Sequence, residues 1–261
     1  MKPDYKNWMP KGMIYSFLFA ALGCGIAAAC FRLLSDGTLK TVLTIAFIAL
    51  AAVFAGLTIW SVLMFRAFDY NGKRQMARQI IEGTAACVTL PRGGKCLDVG
   101  CGSGALAIAV AKCNPKATVT GIDRWGAEYA SFSKSLCEEN ARIEGVWDRT
   151  EFRQGDALKL DFPDGTFDTV VSNYVYHNIP SRDRQAILLE TLRVLKKGGT
   201  FALHDIFSRS NYGDMQAFVE RLKGMGYERV ELIPTDGGRF MTKWEATWMA
   251  LSGSAVLVGK K

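Results

Sequence analysis

Two long stretches of this chain carry no charge. Lys11 and Arg32 enclose the 20 residues GMIYSFLFAALGCGIAAACF, and Lys40 and Arg66 enclose the 25 residues TVLTIAFIALAAVFAGLTIWSVLMF. An α-helix rises about 1.5 Å per residue, so about 20 apolar residues match a hydrocarbon core about 30 Å thick. A helix at a water-facing surface keeps a polar side, and neither run has one. The runs predict two membrane spans, at about residues 12–34 and 39–65, turned back on each other by RLLSDGTLK. A cleaved leader is a poor alternative, because the first apolar core is too long and a second follows at once. Small residues at Gly23, Gly25 and Ala27 to Ala29 predict close packing of the two backbones. The chain therefore divides into a transmembrane hairpin over 1–66 and a second domain over 67–261.

Charge placement predicts the orientation. Lys2, Lys6 and Lys11 precede the hairpin, and Arg66, Lys73, Arg74 and Arg78 follow it. The connection is nearly balanced, with Arg32 and Lys40 against Asp36. Basic flanks stay in the cytoplasm, so both ends of the hairpin and the second domain are expected there, at the cytoplasmic membrane. The net charge is +7, and residues 1–66 carry six Lys/Arg against two Asp/Glu. The remainder is close to neutral, which argues against a nucleic-acid partner. The basic exit fits anionic head groups better. Seven scattered cysteines form no CxxC pair and no disulfide-like framework, and with two histidines no metal-ligand spacing stands out.

Beyond the hairpin, the pattern alternates. Strand candidates are KCLDVG, TVTGID, EFRQGD, FDTVVSNYV, TFALHDI, YERVELIP and SAVLVGK. Helical stretches over 105–112, 127–142 and 182–195 separate the first five, and a helix over 212–225 follows. Alternation of this kind predicts an α/β fold, a mainly parallel sheet with helices on both faces. LKKGG reads as a helix C-terminus, and TDGGRFMTKWEATWMALSG reads as a loop between the last two strands.

The stretch CLDVGCGSGALAIAV is a strand, a glycine turn and a helix start. It satisfies a loose dinucleotide fingerprint, which implies a nicotinamide oxidoreductase. It also reads as D-x-G-x-G-x-G from Asp98. An acid at the end of a central strand needs a partner, and a ligand ammonium group would serve. Asp123 ends the next strand, where a carboxylate accepts from both ribose hydroxyls. Asp156, in Gly155-Asp156-Ala157, follows the third strand. Three carboxylates around one ligand suit a positive charge rather than a pyrophosphate.

On these motifs, with FDTVVSNYVYHNI and LRVLKKGGTFALHD in order behind them, the chain from about Tyr70 onward resembles the class I S-adenosylmethionine-dependent methyltransferases. The resemblance implies a Rossmann-like seven-stranded sheet of order 3-2-1-4-5-7-6 with the last strand antiparallel. It implies S-adenosylmethionine as cofactor and S-adenosylhomocysteine as product. Asp98 and the backbone of Gly100, Cys101, Gly102 and Gly104 would face the methionine moiety, Asp123 the ribose, and Asp156 with Ala157 the adenine, with Arg124 and Gly155 also on the cofactor side. Asn173 would lie near the sulfonium, and Tyr70 at the elbow would border the cofactor.

Methyl transfer is an in-line displacement, so the protein mainly aligns the acceptor. Candidates for that work lie at the C-terminal ends of the fourth and fifth strands: His177, Asp205 and Tyr174, with Tyr176 and His204 beside them. The family's N-P-P-Y motif for amide or base nitrogens is replaced by SNYVYHNIP. That points to small-molecule acceptors of the quinone and sterol type. The hairpin and the aromatic loop carrying Phe240, Trp244 and Trp248 favour a lipophilic acceptor. A soluble acceptor, with the hairpin only an anchor, and a non-catalytic membrane adaptor are the competing readings.

Overall fold

The computed structural model describes residues 1–33, 37–126 and 131–261. They form two units: Asn7–Ala77, and Met1–Lys6 together with Arg78–Lys261. The second unit is thus discontinuous, and its cuts differ from the boundary expected at 66/67.

The first unit holds the two apolar runs as helices α1 (Lys11–Arg32) and α2 (Thr38–Phe68). Their mean hydropathies are 2.0 and 2.6, yet only 6% of each apolar window is buried. A core helix of a water-soluble domain would be mostly covered. Here Phe19, Ile26, Ile45 and Val53 point outward. Both helices are long and apolar enough to cross a membrane. Ring contacts Phe17–Phe54 and Phe31–Phe47, at 6.4 and 5.3 Å, join them. The expected glycine packing is not there: a Cβ added at Gly23 or Gly25 would meet nothing within 4 Å. Ala28 is the small residue that is covered. The Asn7 side-chain amide donates to the Phe65 carbonyl at 2.7 Å, and Trp8 packs on Phe68 at 5.5 Å. Entry and exit of the hairpin therefore lie together.

The other unit is built on seven strands: β1 (Lys95–Val99), β2 (Thr118–Asp123), β3 (Thr150–Gln154), β4 (Phe167–Asn173), β5 (Leu195–Ile206), β6 (Arg229–Pro234) and β7 (Ser254–Lys260). Their order is 3-2-1-4-5-7-6. Strands β1 to β5 pair in parallel, and β7 runs antiparallel to both neighbours. The central strands are covered on both faces, as parallel strands require, with Leu97, Val99, Val170 and Leu203 all fully buried.

Helices α3 (Met76–Ala85), which enters this unit at Arg78, α4 (Ala105–Cys113), α5 (Lys134–Ile143), α6 (Arg184–Arg193), α7 (Arg209–Tyr212), α8 (Met215–Gly224) and α9 (Lys243–Trp248) complete it. Four elements differ from expectation. Helix α5 starts at Lys134, because the Ser133 hydroxyl caps the Leu136 amide; residues 127–130 of the expected helix lie outside the described residues. Helix α6 stops at Arg193, and LKKGG enters β5 with a register shift against β4. The helix expected over 212–225 is broken at Gly213 (φ +70°), after which Asp214 caps α8. The expected loop 235–253 contains α9, started by a Thr242–Glu245 capping box.

Candidate active site

Strand β1 delivers Asp98 into the unit's interior at 1% exposure, and the chain then turns through three glycines. Gly100 has φ +74°, and a Cβ there would stand 2.3 Å from Val175. Gly102, at φ +56°, is different: among the described residues a Cβ would meet only Phe132, at 4.0 Å, so on their side the loop is open. The turn is held by amides of Gly100 and Cys101 donating to the Ile122 carbonyl at 2.8 and 2.9 Å. Asp123, at the end of β2, accepts from the Gly102 amide at 2.8 Å and from the Trp125 amide at 2.9 Å. The Trp125 indole and the Cys137 thiol both donate to the Gly102 carbonyl.

One oxygen of Asp98 accepts from the Ala107 amide at 2.9 Å. The other, Oδ1, is buried with no hydrogen-bond partner among the described residues. Burial, with Asp123 adding to it, pushes the carboxyl up to about 8 against the pull of the Ala107 amide. A buried carboxylate oxygen without a donor is costly, and a ligand ammonium group at this position removes that cost. The residues therefore fit S-adenosylmethionine: an orphaned acceptor for its amino group, an open glycine backbone, and Asp123 one strand over.

The remaining cofactor-side positions separate. Cys101 and Ala157 are buried, and the Gly155 amide donates to the Asp123 carbonyl at 3.0 Å. The Arg124 carbonyl accepts from Gln154 at 3.4 Å. Asp156 is exposed and spends one oxygen on the Leu158 amide at 2.9 Å, an Asx turn that leaves its second oxygen outward. Tyr70 is assigned to the helical unit and the glycine loop to the other.

At the ends of β4 and β5 the chain builds a second group. Tyr174, at φ +54°, turns the backbone sharply after Asn173 into a 3-10 turn over Tyr176–Asn178. Asp205, fully buried on β5, accepts from the amides of Tyr176 (2.8 Å), His177 (3.3 Å) and Ile206 (2.7 Å). Its Oδ1 also lies 2.5 Å from His177 Nδ1. An ionised carboxylate only accepts, so Nδ1 carries the proton and Nε2 is the acceptor of the ring. The His177 side chain remains 21% exposed. Arg184 fixes the turn from α6 by donating to the carbonyls of Tyr176 and His177. The Tyr212 hydroxyl is buried with no hydrogen-bond partner among the described residues, and burial, then the Asp205 charge, holds the phenol protonated.

Tyr174 does not fit a proton acceptor. Its hydroxyl pairs with Ser254 at 2.7 Å, and burial pushes it well above the usual phenol range. Its ring instead stands edge-on to His177 at 5.9 Å and packs on His204 at 4.6 Å, forming a wall. His204 is fully buried, and desolvation pushes it down to about 3 although Asp205 opposes this. The neutral ring bridges Asn173 Oδ1 and the Thr235 hydroxyl, both at 2.8 Å. Since Asn173 Oδ1 only accepts, His204 Nδ1 donates to it, and Nε2 accepts from Thr235. That chain leaves the Asn173 amino group as the donor at the end of β4.

Residues 97–203 match a family described as a methyltransferase domain. This stretch is a methyltransferase domain, set in a sheet of the order expected for the class I S-adenosylmethionine-dependent enzymes. The 27-O-demethylrifamycin SV methyltransferase of Amycolatopsis mediterranei is 32% identical over 161 residues, 60% of this chain and 55% of that protein. The phosphatidylethanolamine N-methyltransferase of Cereibacter sphaeroides is 38% identical over 126 residues, 48% of this chain and 57% of that protein. The chain thus spans a little over half the length of these relatives. Among solved structures, the [4+2]-cyclase SpnF aligns with a TM-score of 0.54 at 22% identity, covering 74% of this chain and 85% of that one. This last likeness shows the fold alone, and a cyclase built on it shows that the fold hosts other chemistry.

Several residues that build this candidate site carry no signal in the sequence. Ser254, Tyr212 and Arg184 come from three elements and Thr235 from the bend after β6, and they share no spacing. Only the structure brings them to Asn173, Tyr174, Asp205 and His177.

Proposed function

We propose that this methyltransferase moves a methyl group from S-adenosylmethionine to a small lipophilic acceptor taken from the membrane, and that His177 removes the acceptor's proton. The observation that carries the reading is the His177–Asp205 pair at the ends of β4 and β5, in the same sheet that ends β1 at the orphaned Asp98. When bound, the cofactor supplies a methyl group already activated on a sulfonium. The chain's own residues do the rest. Asp98 receives the amino group, Asp123 the ribose hydroxyls and the second oxygen of Asp156 the adenine amino group. Asn173 would lie near the sulfur with its amino group left to donate to the incoming acceptor, and Tyr174 would wall the acceptor side. As the acceptor atom gains the methyl, its proton passes to His177 Nε2, and Asp205 steadies the imidazolium. A positioned general base contributes about 10²–10⁴-fold.

The acceptor class rests on the hairpin and on the loop before β7. Helix α9 turns Trp244 outward at 73% exposure, with Trp248 5.6 Å from it. Phe240 of the same loop packs over His204 at 5.4 Å. An exposed aromatic pair on the loop whose Phe240 lies against His204 suits an apolar molecule entering from a bilayer. The relative from Cereibacter sphaeroides is named for a lipid acceptor. The proposed location is the cytoplasmic membrane, with the catalytic unit and both hairpin ends inside.

The test is S-adenosylhomocysteine release by the full chain in vesicles, across lipid, quinone and water-soluble thiol acceptors. Turnover confined to lipid or quinone acceptors supports the reading. Equal turnover on soluble acceptors leaves the hairpin as an anchor only, and binding of NAD(P) in place of S-adenosylhomocysteine removes the methyltransferase reading.

A further inference from the structure

Residues Met1–Lys6 precede the hairpin in sequence but belong to the sheet unit. They are held there at a specific point. Asn140, on α5 at 1% exposure, accepts from the Asp4 amide at 2.8 Å through Oδ1. Its Nδ2 donates to the Asp4 carbonyl and to the Ser103 carbonyl, each at 3.0 Å. One buried amide thus reads both main-chain groups of Asp4 and, with its other N–H, grips the glycine loop between Gly102 and Gly104. Tyr5 adds a second anchor: it is 5% exposed, and its hydroxyl donates to Glu144 at 3.2 Å. The Asp4 side chain folds the strap back on itself, accepting from the Lys6 amide at 3.0 Å.

The loop needs such support. Gly100, Gly102 and Gly104 all sit at positive φ, where a glycine chain has many alternatives. Two successive loop carbonyls are fixed from outside: Gly102 by Trp125 and Cys137, Ser103 by Asn140. Of the three bonds made by the Asn140 amide, two depend on Asp4. Without them the amide has no reason to keep its hold on Ser103.

We propose that the segment Met1–Lys6 is a working part of the cofactor site: Asp4, through Asn140, holds the Ser103 carbonyl and so keeps the glycine loop in the shape that receives the cofactor. Asp4 and Asn140 are positioning residues on this account, and neither touches the ligand. The inference rests on the cofactor reading above. Binding of S-adenosylhomocysteine by the unaltered chain tests that reading separately.

The experiment compares Asp4→Pro, Asn140→Ala and the double variant in the full chain, by calorimetric titration with S-adenosylhomocysteine. Proline removes the Asp4 N–H but keeps its carbonyl. Each single change is expected to weaken binding three- to tenfold. The double variant should be no weaker than Asn140→Ala alone, because both act through one link. Lys2→Ala, elsewhere in the strap, should bind like the unaltered chain. Hydrogen exchange at residues 100–104 should quicken in Asp4→Pro, while the strands keep their protection. If Asn140→Ala does not fold, Asp4→Pro and its exchange pattern decide alone. The proposal is overturned if Asp4→Pro binds within twofold of the unaltered chain, if the two changes add independently, or if loop exchange is unchanged.

Discussion

Asp205 and His177 form a closed pair: the carboxylate takes the ring's Nδ1 at 2.5 Å and, through its other oxygen, the backbone amides of Tyr176 and His177. The same buried acid therefore sets both the position of the turn and the tautomer of the ring. Replacing His177 with Ala should lower kcat about 10²–10⁴-fold, the usual contribution of a general base. Affinity for S-adenosylhomocysteine should move less than threefold. Asp205→Asn should act in the same direction by releasing the tautomer. A kcat within threefold of the unaltered enzyme in His177→Ala would remove the pair from the chemistry.

Asp98 predicts a pH signature. Its carboxyl is pushed up to about 8 by burial, against an unfolded value of about 3.9. A raised folded value means that the folded protein holds a proton the unfolded chain has lost. Its contribution to stability is full below about 4 and is lost as pH rises through about 8. The ligand-free protein should therefore lose thermal stability across that window, and Asp98→Asn should flatten the loss. An ammonium group favours the carboxylate, so S-adenosylhomocysteine binding at pH 7 should release nearly one proton. Titrations in buffers of different ionisation enthalpy read this directly, and the release should vanish in Asp98→Asn.

The open side of Gly102 predicts a steric block. Gly102→Val introduces a branched side chain at φ +56°, into the space left for the ligand. Binding should fall below detection while the sheet still melts cooperatively. Asp123→Ala should weaken binding about ten- to hundredfold, the scale of about 1.5–3 kcal/mol for lost bonds to a charged group. Calorimetric titration checks both, and normal affinity in either variant would contradict the loop's assignment.

The hairpin predicts a topology. Leu33, at 87% exposure, stands at the turn end of α1, and Ser252 is an exposed position of the sheet unit. With Cys24, Cys30, Cys87 and Cys113 replaced, a membrane-impermeant thiol reagent applied to intact cells should label Leu33→Cys and spare Ser252→Cys. The reverse pattern would invert the orientation, and labelling of both would argue against two spans.

The strands were legible because parallel strands buried on both faces read as short apolar runs, whereas their order came only with the family resemblance that the motifs at their ends carry. Asp98 and Asp123 were legible because an acid where a strand ends needs a partner. His177 and Asp205 lie 28 residues apart, and only the adjacency of β4 and β5 makes them a pair. The role of Asp4 was invisible: MKPDYK has no periodicity, and its partner Asn140 is one polar residue on an amphipathic helix. Gly23 and Gly25 misled, because small residues in an apolar helix permit close packing without requiring it. Helix α9 was missed although its capping box, Thr242 to Glu245, stood in the sequence, because flanking glycines made the segment read as a loop.

Methyl transfer into the membrane phase is the claim on which the rest depends. The direct measurement uses the full chain in vesicles of the host's own lipids, supplied with S-adenosylmethionine labelled on its methyl group, followed by partition between organic and aqueous phases. The account predicts label in the organic phase, one equivalent of S-adenosylhomocysteine per methyl transferred, and loss of both in His177→Ala. Label confined to water-soluble products, or organic-phase label that survives His177→Ala undiminished, would contradict it.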